Sequence, residues 1–211
     1  MSLEATHIRF ALDLKEKYQV QDIEKYVSGT IYPDSRYVTK IDRELTHNED
    51  ILKPEFAKDD FKKGWQVHQI CDLMQNKMKK RALPEPFSEK YNGYDEQRWV
   101  VSTAMKIIQD MNDMQQFPIQ DYLKYLEYAQ NPNGEEIGEV KKYNQIMVDL
   151  YRGKKTTTLE DNYRMWLALG VDEELGLKIK SKTEELLKDI KLVKKIEDVY
   201  FDMIENYQDV L

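Results

Sequence analysis

The segment Phe61-Lys62-Lys63-Gly64-Trp65-Gln66-Val67-His68-Gln69-Ile70-Cys71-Asp72 decides how this chain is read. With Phe56 upstream, the residues Phe61, Trp65, His68 and Asp72 recur at helical spacing, and Pro54 stands just ahead as a start signal. The pattern predicts a helix from about Glu55 to Lys80. Within it, His68 and Asp72 interrupt an otherwise apolar face. Residues four apart on a helix lie on one side, so both side chains can reach a common point. An imidazole and a carboxylate so placed make half of a divalent-metal site, or a hydrogen-bonded pair that orders the helix.

Outward from this segment the same period continues. Toward the amino terminus, Ile8, Phe10, Leu12 and Leu14 give an apolar side to a helix over Ala5 to Tyr18, and a short helix from Asp22 to Ser28 is predicted to end at Gly29. Thr30 to Ser35 reads as a loop, because Pro33 disfavours helical geometry at Tyr32 and Asp34 is a turn former. Thr39 to Lys53 is loop-like around the Thr46-His47 step. Toward the carboxyl terminus, Leu83 to Pro86 is a break and Tyr91 to Tyr94 a turn. Helices are predicted over Asp95 to Gln116, Ile119 to Gln130 and Glu135 to Tyr151. Thr158 caps another, Leu159 to Leu169, with Asp161 at its third position, and Asp172 to Val210 is long and amphipathic with a break near Gly176. Only 8 Gly and 6 Pro punctuate 211 residues, so the segments are long and the fold class is all-α. The expectation is a multi-helical single domain over residues 1–211, with a metal-site segment at 5–80 and packing helices at 95–211.

Composition removes several functions. Lys and Arg total 32 against 39 Asp and Glu, a net charge of −7, so the basic footprint that nucleic-acid scaffolds need is missing. One Cys excludes an internal disulfide framework and fits a reducing compartment. No run approaches the roughly 20 apolar residues of a membrane span, and Arg9, Asp13, Lys15 and Glu16 interrupt the opening stretch where a signal peptide is apolar. A cytoplasmic location is expected. The sequence also lacks a Gly-rich phosphate loop, a Ser nucleophile elbow and a zinc ribbon.

The chain has only 3 His, and all fall in its first third: His7 on the first helix, His47 in the loop after Arg43-Glu44-Leu45-Thr46, and His68. Arg36 and Arg43 flank Asp34 and His47, where a guanidinium can meet a phosphate bidentately or pair with a surface acid. Trp65 precedes His68 by one turn, and Cys71 points about 100° away from the His68–Asp72 face.

These pieces, in this order, resemble the zinc-dependent phospholipase C family, whose fold is shared with the S1/P1 nucleases. The resemblance is carried by Ala5-Thr6-His7, by Val27-Ser28-Gly29-Thr30-Ile31-Tyr32-Pro33-Asp34, by Arg43-Glu44-Leu45-Thr46-His47, and by Phe61 to Asp72. It covers residues 5 to 72, about a third of the chain. It implies that Asp34, His47, His68 and Asp72 ligate one metal, and that His7 belongs to a neighbouring one with Asp72 bridging. The pattern departs from the family after Asp72. No His follows His68, and Met78 stands where the family places a further His. One full site and part of a second are therefore expected in place of three metals. Any further ligands must be carboxylates, for which Glu96, Asp110 and Asp113 are the candidates.

The resemblance implies an α-helical, metal-dependent hydrolase that acts on a phosphoester through a metal-activated water. Zn²⁺ is the expected ion, with Fe²⁺ or Mn²⁺ as alternatives, and Asp34 the expected general base. The expected partner is a small-molecule phosphoester, and a homo-oligomer is compatible with the carboxyl-terminal helix. Two other readings stay open. One is a non-catalytic helical metal-binding or interaction protein with a degenerate site. The other is an HD-domain-like phosphohydrolase, against which stands the lack of an adjacent His-Asp pair.

Overall fold

Ten α-helices and several 3₁₀ turns follow one another in the computed structural model, which describes residues 3–82 and 95–211. Among the described residues no strand occurs. The amino-terminal helices are α1 (Glu4–Leu14), α2 (Ile23–Ile31), α3 (Arg36–Thr39), α4 (Arg43–Thr46) and α5 (Asp60–Ala82). They are followed by α6 (Glu96–Gln116), α7 (Ile137–Tyr151), α8 (Leu159–Ala168), α9 (Glu173–Leu187) and α10 (Ile190–Glu205). The break expected at Leu83 to Pro86 and the turn at Tyr91 to Tyr94 lie outside the described residues. No described helix is long and apolar enough to cross a membrane.

Local chemistry accounts for most helix starts. Asp22, Asp42, Asp95, Thr158, Asp172 and Asp189 each accept a backbone amide of the helix that follows. At α8 the Asp161 carboxylate returns the contact to the Thr158 amide, which closes a capping box. Helix α5 begins at Asp60, five residues later than the spacing suggests, with the Asp59 side chain accepting the Lys62 amide at 2.9 Å. Phe56 stays outside the helix and stacks edge-on against Trp65.

Further expectations need correction: α1 ends at Leu14, not Tyr18, and the stretch Thr39 to Lys53 holds α4 and a 3₁₀ turn, Glu49–Leu52. Helix α2 does not stop at Gly29 but runs through it to Ile31. Gly29 and Gly64 mark the crossing of α2 over α5. A methyl group at Gly29 would collide with the Phe61 carbonyl, and one at Gly64 with the Tyr26 carbonyl. Gly29 is therefore a packing residue, not a terminator. The segment from Ile119 forms two 3₁₀ turns, Ile119–Asp121 and Leu123–Glu127, in place of one helix. The last amphipathic stretch breaks at Lys188-Asp189, where Asp189 caps α10 through the Lys191 and Leu192 amides. Gly176 lies inside α9, against the Tyr163 ring.

The arrangement centres on α1, which packs on α2, α5 and α6. Its Ile8 and Leu12 join the main core with α2, α6, α7 and α8, while Phe10 and Leu14 meet Val67, Met74 and Met78 of α5 and Tyr200 and Met203 of α10. Met78 thus belongs to an apolar cluster. Enclosure by neighbours on several sides leaves His7 of α1 with no exposed surface.

Candidate metal centre

Each candidate ligand is delivered by a different local device. His7 comes from α1 and His68 and Asp72 from α5, while Asp34 sits in the 3₁₀ turn Tyr32–Ser35 that Pro33 starts directly after α2. His47 ends the single turn of α4. Trp65 fixes that turn by donating its indole N–H to the Thr46 carbonyl at 2.9 Å, and its ring meets Tyr32 and Phe56. Trp65 therefore supports the His47 loop from the core.

The five residues converge. The ligand atoms of Asp34, His47 and His68 lie within 4.8 Å of one another, and so do those of His7, His68 and Asp72. The two Nε2 atoms of His47 and His68 are 3.2 Å apart. The His47 Nε2 lies 3.8 Å from Asp34 Oδ1 and 3.7 Å from Asp72 Oδ2, and the His68 Nε2 lies 3.9 Å from Asp72 Oδ2. Four ligands held tetrahedrally at about 2.0–2.2 Å from an ion stand roughly 3.3–3.6 Å from each other. The His47–His68 separation matches that spacing, the imidazole–carboxylate ones are a little longer, and Asp34 and Asp72 belong to different groups of mutually close ligand atoms. The second oxygen of Asp72 faces elsewhere, 3.5 Å from His7 Nε2. The His7 ring stacks on His68 with centroids 3.8 Å apart.

The hydrogen bonds decide which nitrogens carry lone pairs. His68 Nδ1 lies 2.8 Å from the Thr30 carbonyl oxygen, which can only accept, so Nδ1 holds the proton and Nε2 is bare. Thr46 donates its hydroxyl to the Arg43 carbonyl at 3.2 Å and accepts from His47 Nδ1 at 2.8 Å, which leaves His47 Nε2 bare as well. Two lone pairs then face each other at 3.2 Å. An extra proton between them is disfavoured. Burial, reinforced by the neighbouring His68, pushes the His47 imidazole down to about 2 and holds His7 well below the ordinary imidazole value. Asp34 Oδ1 and both nitrogens of His7 are buried without a hydrogen-bond partner. Such atoms are costly when left alone; a cation satisfies the Asp34 oxygen, and a neighbouring one the lone-pair nitrogen of His7.

The remaining carboxylates are sorted by the fold. Glu96 is on the surface, paired with Lys178 at 2.8 Å. Asp110 and Asp113 are buried against α1 but already engaged. Asp110 accepts the Thr6 amide and the Tyr151 hydroxyl, and Asp113 pairs with Arg9 at 2.7 Å. None of the three joins the ligand groups. The residue that sequence reading missed is Glu4. It is 2% exposed, accepts a hydrogen bond from the Tyr143 hydroxyl, and its carboxyl is held above the usual range by burial and then by Asp34. Its position three residues before His7 puts both on one face of α1, a spacing that was visible in the sequence.

The cluster is almost wholly enclosed. His7 and His68 expose nothing, Asp34 2%, and His47 and Asp72 4% each. All five are therefore buried, and the little exposure that remains belongs to Asp34, His47 and Asp72. Comparison of the chain with protein-family models, with curated proteins and with solved structures returns no match.

Proposed function

We propose that this chain is a metal-dependent hydrolase of phosphoesters, with Asp34, His47, His68 and Asp72 holding one divalent ion and His7 with the far oxygen of Asp72 forming part of a second position. The observation that carries the reading is the pair of bare imidazole nitrogens 3.2 Å apart, both fixed as acceptors by Thr30 and Thr46 and ringed by two carboxylates. Two imidazoles with two carboxylates suit Zn²⁺ best, and Fe²⁺ or Mn²⁺ next. A bound ion of this kind lowers the pKa of a coordinated water and polarises a phosphoryl oxygen.

The chain's own groups then have defined work. Thr30 and Thr46 keep the imidazole tautomers. Asp34, binding the ion through one oxygen, would keep the other for taking a proton from water, and burial raises its carboxyl above the ordinary range. A second reading draws on the same burial. Because His7 and His68 are wholly enclosed, a metal bound there for structure alone, with no turnover, fits equally well with the packing.

Metal analysis of protein purified without added metal, beside His68→Ala and Asp72→Ala, separates these readings. Near-stoichiometric metal in the wild type and its loss in both variants is the expected result. A wild type that holds no metal and fails to take up Zn²⁺, Mn²⁺ or Fe²⁺ would remove the hydrolase reading. Metal retention with a panel of phosphomonoesters and phosphodiesters left intact would favour the structural role.

A further inference from the structure

Next to the cluster in the chain stands a cation with no close ion pair among the described residues. Arg36 follows Asp34 by two residues, and its positive charge acts on Asp34 and on His47. Among the described residues no carboxylate lies within 4.0 Å of the Arg36 guanidinium nitrogens, whereas Arg9 pairs with Asp113 at 2.7 Å and Arg164 with Glu160 at 2.9 Å. The Arg36 Nε is buried and lacks any hydrogen-bond partner. Ser35 Oγ and Thr39 Oγ1, in the same turn of chain, are also buried and unpartnered, and Ser35 exposes no surface. The guanidinium carbon of Arg36 lies 4.5 Å from the Tyr37 ring centroid, a contact that steadies the group without neutralising it. Arg43, the other arginine near His47, is exposed and turns no buried atom toward a ligand.

Three orphaned donors in five residues, beside a cluster that has no cation of its own to offset its carboxylates, are groups from which an oxyanion accepts. Leaving them unsatisfied costs free energy that a bound anion returns. We infer that Arg36, with the hydroxyls of Ser35 and Thr39, forms a phosphoryl-oxygen subsite beside the metal centre. The inference rests on the proposed hydrolase reading and adds to it the group that selects an anionic phosphoester and sets it against Asp34. Arg36 acts by binding the non-bridging oxygens, so its loss raises KM more than it lowers kcat.

The test uses the full chain, zinc-loaded, with inorganic phosphate as probe in isothermal titration calorimetry. Wild type, Arg36→Gln and Arg36→Lys are compared, and bound zinc and thermal midpoint are measured for each. The expected result is phosphate binding by the wild type, weakened roughly ten- to a hundredfold in Arg36→Gln, as loss of a charge-assisted pair implies. Arg36→Lys falls between, because an ammonium keeps the charge and loses the fork. Zinc content stays equal in all three. If Arg36→Gln binds phosphate as tightly as the wild type, or a zinc-loaded wild type binds none, the subsite is overturned while the metal centre stands. A wild type that holds no zinc sinks both, and the metal analysis shows which has happened.

Discussion

Thr46 settles which nitrogen of His47 faces the cluster. Its hydroxyl is committed to the Arg43 carbonyl, so it accepts from His47 Nδ1 and leaves Nε2 bare. Replacing it with valine keeps the shape and removes that acceptor. Thr46→Val is expected to weaken zinc binding roughly ten- to a hundredfold, the usual cost of losing a group that orients a ligand, while stability falls by only about 1 kcal/mol. Zinc titration of the variant checks this, and an unchanged affinity would show that His47 is oriented by something else. At this scale the sequence was partly legible. The Thr-His step and the four-residue spacing of His68 and Asp72 stand in plain order along the chain. Glu4 passed unnoticed because its relevance depends on Tyr143, 139 residues away, and on Asp34, which tertiary packing alone brings near.

Helices α2 and α5 cross with backbone against backbone, and that closeness puts the Thr30 carbonyl 2.8 Å from His68 Nδ1. A side chain at the crossing cannot be absorbed by a rotamer change, since the obstacles are the Phe61 and Tyr26 carbonyls. Gly64→Ala is expected to cost roughly 2–3 kcal/mol and to pull Thr30 off His68, so that zinc affinity falls with stability. Gly138→Ala in α7, where an added methyl meets nothing within 4 Å, is the control and should be neutral or gain up to about 1 kcal/mol. Chemical denaturation of both variants decides, and equal behaviour of the two would refute the close crossing. Element boundaries show why glycine is hard to read. The cap at Thr158 announces its helix through side-chain chemistry that is local, whereas Gly29 and Gly176 do not end helices, because the neighbour that makes each glycine necessary lies elsewhere in the chain.

Across the whole molecule, the interior around α1 is rich in acids whose protons are held by burial. Asp110 is raised to about 7 and Asp113 to about 6, chiefly through burial, in an interior that also encloses Glu4 and Asp34. The folded chain therefore binds protons that the unfolded chain releases above about pH 4. A folded-state pKa raised above the unfolded one gives stability that is complete below the unfolded value and lost as pH rises through the folded value. In the metal-free protein Asp110 alone is expected to take away on the order of 3–4 kcal/mol of stability between about pH 4 and 7, while the lowered imidazoles of His7 and His47 act in the opposite sense. Asp110→Asn, which resembles the protonated acid, should match the wild type at pH 5 and exceed it at pH 8. Urea midpoints at the two pH values test this, and parallel slopes would refute it. The helical class was readable from long periodic segments with few breaks, because that signal accumulates over many residues. The depth at which these acids lie was not, since burial of a polar residue depends on partners such as Tyr151 and Arg9 that no local pattern names.

The cluster draws on residues 7, 34, 47, 68 and 72, carried by separate stretches of the first third of the chain. An ion bound there would close three successive loops at a single knot, in a molecule whose one cysteine leaves it no covalent staple of its own. Metal capture would then be coupled to folding, and chelation would cost the amino-terminal third its tether while α7 to α9 keep their contacts with one another.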